Sequence, residues 1–263
     1  MNQPQGTLRD ISRERLPILN IEVDNVTMQE LLERFTEGVL VTPNVDHLVK
    51  LQKDREFYEI YRQAEWVTVD SQIVRAAMRF LGKPVKEVIP GSGFFPEFYR
   101  FHRDNPEIKI FLLGAAPGVA EKALKRINEA VDREIVIGAH SPSFGFEKNQ
   151  EECAGIIEMI NASGANVLVV GVGAPKQEKW IFKYRKQLPG VRIFLAIGAT
   201  IDFEAGNIFR APRWMQVLAL EWLYRLLKEP KRLWRRYLIE DLPFFIYILK
   251  QRLGLYKNPF SNQ

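Results

Sequence analysis

Between Ile108 and Gly198 the chain repeats one pattern: a short run of aliphatic and β-branched residues, then a longer run with apolar positions three and four apart. Strands are predicted at Ile108–Gly114, Glu134–Ala139, Val167–Gly171 and Arg192–Gly198, with helices at Val119–Val131, Lys148–Ala162 and Lys176–Leu188 between them. Strands that alternate with helices of this length run parallel, and their crossovers are right-handed. The pattern therefore specifies an α/β fold: a Rossmann-like, doubly wound, mainly parallel sheet with helices on both faces.

The preceding residues extend the same scheme. A strand is predicted over Ile18–Val23, and Thr27 with Glu30 forms a capping box opening a helix through Phe35. Gly38–Thr42 is a strand. Helical periodicity runs from Val45 to Ala64, with the charge cluster Lys53-Asp54-Arg55-Glu56 as the point where it would break. Trp66–Val69 is a short strand that ends on Asp70, and Ser71–Leu81 is a helix stopped by Gly82-Lys83-Pro84. A turn-rich link, Val88–Gly93, precedes an aromatic helix over Phe94–His102.

Charge divides the chain. The net charge is +5, yet residues 206–263 hold eleven Lys or Arg against four Asp or Glu, so residues 1–205 are slightly acidic. Trp214, Trp222 and Trp234 lie in the same basic segment, whose pattern from Arg213 is amphipathic helix divided by Pro230 and Pro243. The organisation expected is a loose arm over 1–17, a catalytic domain over 18–205 and a helical appendage over 206–263, with truncation near residue 205 leaving a folded but inactive domain. Cys153 is the single cysteine, so no internal disulfide forms and a reducing compartment is expected. Residues 1–17 contain charges and no apolar h-region, so no secretory signal is expected, and no apolar run approaches the ~20 residues of a spanning helix.

In an open α/β sheet the working side chains project from the carboxyl ends of the strands. Asp70 sits at such an end, as general base or as a plain helix cap. Thr42 and Asn44 end another strand and suit contacts to sugar or base hydroxyls, whereas Asp46 and His47 read as caps. Gly171-Val172-Gly173-Ala174-Pro175-Lys176-Gln177 joins a strand to a helix, where backbone N–H groups, the helix N-terminus and Lys176 could hold phosphate. The dinucleotide fingerprint is absent, since Lys176 stands where its third glycine would be, and no bound cofactor is expected. No P-loop and no nucleophile elbow occurs. Asp202-Phe203-Glu204 has the acid-x-acid form that can hold a divalent ion, but His47, His102 and His140 are scattered and no catalytic metal is expected.

Taken together, Thr42-Pro43-Asn44, Val69-Asp70, Gly173-Ala174-Pro175-Lys176-Gln177-Glu178, Asp202-Phe203 with Ala205-Gly206, and Arg210-Ala211-Pro212 with Trp214 resemble the WecG/TagA/CpsF glycosyltransferase family over about Ile18–Leu238. The resemblance implies an inverting transferase that moves a sugar, N-acetylmannosamine or a related hexose, from a UDP-sugar to an undecaprenyl-diphosphate-linked acceptor in cell-surface polysaccharide synthesis. It implies Asp70 as general base, Thr42 and Asn44 as a substrate-contacting pair, Gln177 as an active-site glutamine, and Arg225, Arg232 and Arg235 as diphosphate ligands on a tail that folds over the pocket. Two departures stand out: Val88-Ile89-Pro90-Gly91 lacks an arginine common at that place, leaving Lys83 or Lys86 as substitutes, and Ser71 replaces a common glycine. The basic, Trp-containing tail further predicts peripheral docking on the anionic cytoplasmic membrane face, with an extra subdomain or a homo-oligomer contact as its other uses. The rival functions are a nucleic-acid binder, which leaves Asp70 and the glycine turn unexplained, and another nucleotide-dependent enzyme, perhaps NAD-linked.

Overall fold

The computed structural model describes residues 13–208, 211–212, 215 and 220–261. Six parallel strands form the central sheet: β3 (Gly38–Val41), β4 (Trp66–Val67), β5 (Ile110–Gly114), β6 (Val136–His140), β7 (Val167–Gly171) and β8 (Ile193–Ala196), in the order β4-β3-β8-β7-β5-β6. All six carboxyl ends consequently share one edge. Side chains alternate across the sheet as a pleat requires. Val39, Val41, Leu168, Val170, Phe194 and Ala196 face one apolar layer, and Leu40, Val167, Val169, Ile193 and Leu195 face the other.

The first layer is covered by α2 (Val45–Lys50), α3 (Arg55–Gln63), α4 (Gln72–Phe80), α7 (Gln150–Ser163) and α8 (Lys176–Tyr184). The second is covered by α1 (Met28–Arg34), α5 (Gly91–Phe101), α6 (Val119–Val131) and α9 (Thr200–Glu204). Helices on both faces of a parallel sheet complete the doubly wound fold that the sequence pattern specifies.

Several boundaries move, each for a local reason. The stretch expected to be one strand over Ile18–Val23 is an antiparallel hairpin, β1 (Arg15–Ile18) with β2 (Ile21–Asp24), because Leu19 adopts a left-handed backbone (φ 51°) and reverses the chain. Residues 13–17, read as part of a loose arm, are tied down: the Arg13 guanidinium stacks on Trp66 at 3.6 Å and Arg15 bonds Asp24 at 3.1 Å. The periodicity over 45–64 breaks into α2 and α3 within the charge cluster, where Asp54 caps α3 by accepting from the Phe57 N–H at 3.0 Å. Helix α5 begins at Gly91, ahead of the predicted Phe94. A Cβ there would meet the Ile197 side chain at 2.6 Å, so glycine lets this helix start against the end of β8.

The C-terminal segment comprises α10 (Glu221–Lys228), α11 (Pro230–Arg235), a π-helical turn (Arg236–Glu240) and α12 (Pro243–Arg252). Trp214 and the first part of its predicted stripe lie outside the described residues. The tail does not pack as one unit. Phe244 and Ile248, one turn apart on α12, belong to the first core layer, the Gln251 side chain accepts from the Leu19 N–H at 2.9 Å, and the Tyr256 hydroxyl bonds Gln52 at 2.6 Å. A chain cut near residue 205 would lose these contacts and expose the apolar surface they cover, so loss of activity on truncation would not separate a catalytic role from a folding one.

Candidate active site

Residues 68–70 leave the sheet after only two paired residues, and their position is fixed by neighbours on both sides. The Thr68 N–H donates to Val41 O at 3.1 Å, the Asp70 N–H to Pro43 O at 3.1 Å and the Ile89 N–H to Val69 O at 2.8 Å, while the Thr68 hydroxyl donates to Ile89 O at 3.1 Å. Asp70 is therefore held between the end of β3 and the 88–90 link. It does not cap α4; Ser71 does, its hydroxyl accepting from the Val74 N–H at 3.2 Å. Asn44 caps α2 through Oδ1, which accepts from the His47 N–H at 3.2 Å, and its side chain also hydrogen-bonds Asp70. Thr42 is buried just after the end of β3.

The Asp70 side chain keeps an opening to solvent but is packed in protein. Burial, followed by the nearby Glu221 carboxylate, pushes its pKa from the usual carboxylate range up to about 7, against the opposing effects of Arg225, the Asn44 hydrogen bond and Arg236. Three of these groups belong to the tail, so α10 and the start of the π-helical turn come near enough to Asp70 to act on its charge. The Nε atoms of Arg225 and Arg236 are buried with no hydrogen-bond partner among the described residues. A buried guanidinium N–H left unpaired is costly, and a ligand oxygen is one way to satisfy it.

Arg235 goes elsewhere. Its Nε pairs with Glu240 at 3.2 Å on the surface, both side chains more than half exposed, whereas its neighbour Arg236 is near enough to Asp70 to act on its charge. Arg232 lies in α11, and its side chain is outside the description. Lys86, one substitute for the missing arginine, pairs with Glu30 at 2.8 Å on the surface.

A second part of the edge is a cleft of about 310 Å³ bordered by Phe144, Glu147, Gly173, Lys176, Gly198 and Asp202. Lys176 Nζ bonds Glu147 at 3.3 Å and lies 4.7 Å from the Phe144 ring centre. Asp202 and Glu204 diverge: Asp202 borders this cleft, whereas Glu204 accepts from the Tyr99 hydroxyl at 2.9 Å on the α5 side. The acid-x-acid pattern does not bring its two carboxylates together.

The glycine turn differs from a simple phosphate cradle. Gln177 Oε1 accepts from the Gly173 N–H and the Gly198 N–H, each at 3.1 Å, and its Nε2 donates to Glu178 Oε1 at 2.9 Å. The Gly173 N–H is thus spent inside the protein, and Gln177, 2% exposed, ties the β7 turn to the β8 turn. Leaving those N–H groups unpaired costs about 1–3 kcal/mol. Gln177→Ala is accordingly expected to lower the Tm by several degrees as well as to impair activity. An unchanged Tm with a weakened nucleotide Kd would instead mark Gln177 as a direct ligand.

Sequence reasoning missed the neighbourhood of Asp46. Its Oδ2 bonds Lys50 Nζ at 2.7 Å and Arg236 Nη2 at 3.3 Å, and Lys50 also reaches Ala174 O at 3.4 Å. His47, bonded to the Tyr61 hydroxyl at 2.8 Å, is pushed down to about 3 chiefly by burial and stays neutral at pH 7. Glu178 is fully buried and pushed up to about 7 by burial.

The chain is similar to known proteins over most of its length. The profile described as the glycosyl transferase WecG/TagA/CpsF family matches residues 16–258. Relatives from Staphylococcus aureus strains MRSA252, MW2 and NCTC 8325, each named N-acetylglucosaminyldiphosphoundecaprenol N-acetyl-beta-D-mannosaminyltransferase, are 27% identical over 242 residues, covering 89% of this chain and 91% of theirs. With the profile spanning the sheet, the Asp70 edge and most of the tail, the chain belongs to the WecG/TagA/CpsF family of glycosyl transferases.

Proposed function

We propose that the protein transfers N-acetylmannosamine from its UDP-sugar to N-acetylglucosaminyl diphosphoundecaprenol, with inversion and with Asp70 as general base. The observation that carries this reading is the place of the Asp70 carboxyl group, held by backbone hydrogen bonds between the end of β3 and the 88–90 link and sharing its surroundings with Asn44, Arg225 and Arg236. As the acceptor hydroxyl attacks the anomeric carbon, Asp70 takes its proton and the bond from that carbon to the diphosphate oxygen breaks. Charge then accumulates on departing UDP. Arg225 and Arg236, with Arg232 assigned to the same role from its place in the tail, neutralise it, and guanidinium groups suit bidentate diphosphate contacts. Lys176 and Asp202 border the nucleotide side, and Thr42 and Asn44 contact the sugar.

The tail also brings the enzyme to its lipid-linked substrate at the inner membrane face. Among the described residues no helix is long and apolar enough to cross a membrane. Helix α12 nonetheless turns Phe244 and Ile248 to the core and leaves Phe245, Ile246 and Leu249 more than half exposed, with Leu238, Ile239 and Leu242 equally exposed just before it. An apolar face next to Lys250 and Arg252 suits an anionic bilayer surface.

Product analysis tests both statements. A panel of UDP-sugars is incubated with a short-chain lipid-diphosphate-GlcNAc acceptor in anionic and in neutral vesicles. The expected result is a disaccharide-lipid from UDP-N-acetylmannosamine, formed faster on anionic vesicles. Transfer from no UDP-sugar would refute the activity, and equal rates on the two vesicles would refute electrostatic docking.

A further inference from the structure

Asp46 and Lys50 form a short chain of contacts that joins three parts of the site. Arg236 reaches Asp46 Oδ2 from the tail at 3.3 Å, Lys50 reaches the same oxygen from the next turn of α2 at 2.7 Å, and Lys50 continues to the Ala174 carbonyl of the β7 turn at 3.4 Å. The two-turn helix α2 that carries them begins at Asn44, whose side chain hydrogen-bonds Asp70. One rigid element thus orients the carboxylate and meets the tail arginine. The Asp46 side chain is 6% exposed, so its charge is poorly solvated and depends on both cations.

We infer that Asp46 is a positioning residue: its carboxylate, braced by Lys50, latches Arg236 of the tail into place beside Asp70. The inference rests on the reading of Asp70 and Arg236 as catalytic-site groups, and it goes further in assigning Asp46 a role in the reaction that acts only through Arg236. Asp46 touches neither substrate nor reacting atoms in this account. A helix cap would explain none of its contacts, since Asn44 already caps α2.

Asp46→Asn keeps the size of the side chain and removes the charge. The expected result is a fall in kcat of about tenfold or more, loss of hydrogen-exchange protection confined to residues 221–241, and substantial rescue by Asp46→Glu. In the Asp46→Asn/Arg236→Gln double variant, activity is expected to match that of Arg236→Gln alone within about twofold, because a latch has nothing left to hold once Arg236 is gone. Multiplying losses in the double variant, or unchanged exchange in 221–241, would overturn the inference. Exchange that rises across the whole sheet would also overturn it, marking Asp46 as a general stabilising residue. Hydrogen exchange needs no turnover, so a released tail together with a fully active Asp70→Asn variant would refute the general-base reading and leave the latch standing.

Discussion

Asp70→Asn is expected to bind UDP-sugar with little change while turnover falls by about 10²–10⁴-fold, the usual contribution of a general base. The neutral amide keeps the shape of the carboxylate and its place beside Asn44, so substrate contacts persist and only the proton acceptor is lost. The pH dependence follows from the raised pKa. Asp70 works ionised, and with a pKa pushed up to about 7 by burial and by Glu221, roughly a tenth of the enzyme is competent at pH 6 and roughly nine-tenths at pH 8. The kcat/KM of the wild type should therefore rise through about pH 7 and then level off. A flat profile between pH 5 and 8 would exclude Asp70 as the base.

The same shift predicts a stability change of opposite sign to that of ordinary carboxylates. The folded state holds the Asp70 proton more tightly than the unfolded chain, whose aspartate titrates near 3.8. The stability from this group is present below about pH 4 and lost as pH rises through about 7. Asparagine carries no such cost, so Asp70→Asn should melt at a higher temperature than the wild type at pH 8, with the gap closing toward pH 4. Catalytic sites often hold groups that weaken the fold in this way. A lower Tm for the variant at pH 8 would show that the ionised carboxylate is stabilised by its surroundings.

How much of this was legible in the sequence depended on distance along the chain. The sheet was, because each strand is a local apolar run and each parallel crossover is a local helix. Asp70, Thr42 and Asn44 followed from one rule about strand ends. Asp46 did not, since its decisive partner, Arg236, is remote in sequence, and proximity to the start of α2 made a cap the simpler reading. Gln177 was found at the right turn, but its hydrogen bond to Gly198 joins two loops whose side-by-side placement only the strand order fixes. Which of Arg235 and Arg236 lies nearer Asp70 was not legible either, for a geometric reason. Successive residues of a helix point about 100° apart, so a phase error of one residue sends a side chain to solvent. The π-helical turn beginning at Arg236 shifts that phase, and apolar periodicity does not report it.

That one-residue distinction gives the second large effect. Arg236→Gln is expected to lower kcat/KM by about 10²–10³-fold, the loss typical of removing one preorganised group that stabilises transition-state charge. Arg225→Gln should behave similarly, since Arg225 also acts on Asp70 and its buried Nε also has no partner among the described residues. Arg235→Gln should change kcat/KM by no more than a few-fold, because it breaks an exposed pair with Glu240 of a kind worth about 0–1 kcal/mol. The pH profile separates an electrostatic role from simple misfolding. Arg236 holds the Asp70 pKa down, so its removal lets that pKa rise, and the rising limb of activity should move to more alkaline pH in Arg236→Gln but stay in place in Arg235→Gln. A variant that had merely lost folded protein would show a lower rate at every pH with the limb unmoved. Should Arg235→Gln be the more damaging of the two, the tail must engage the substrate in a different phase from the one in which it approaches Asp70 here, and the assignment of Arg236 to the diphosphate would fall.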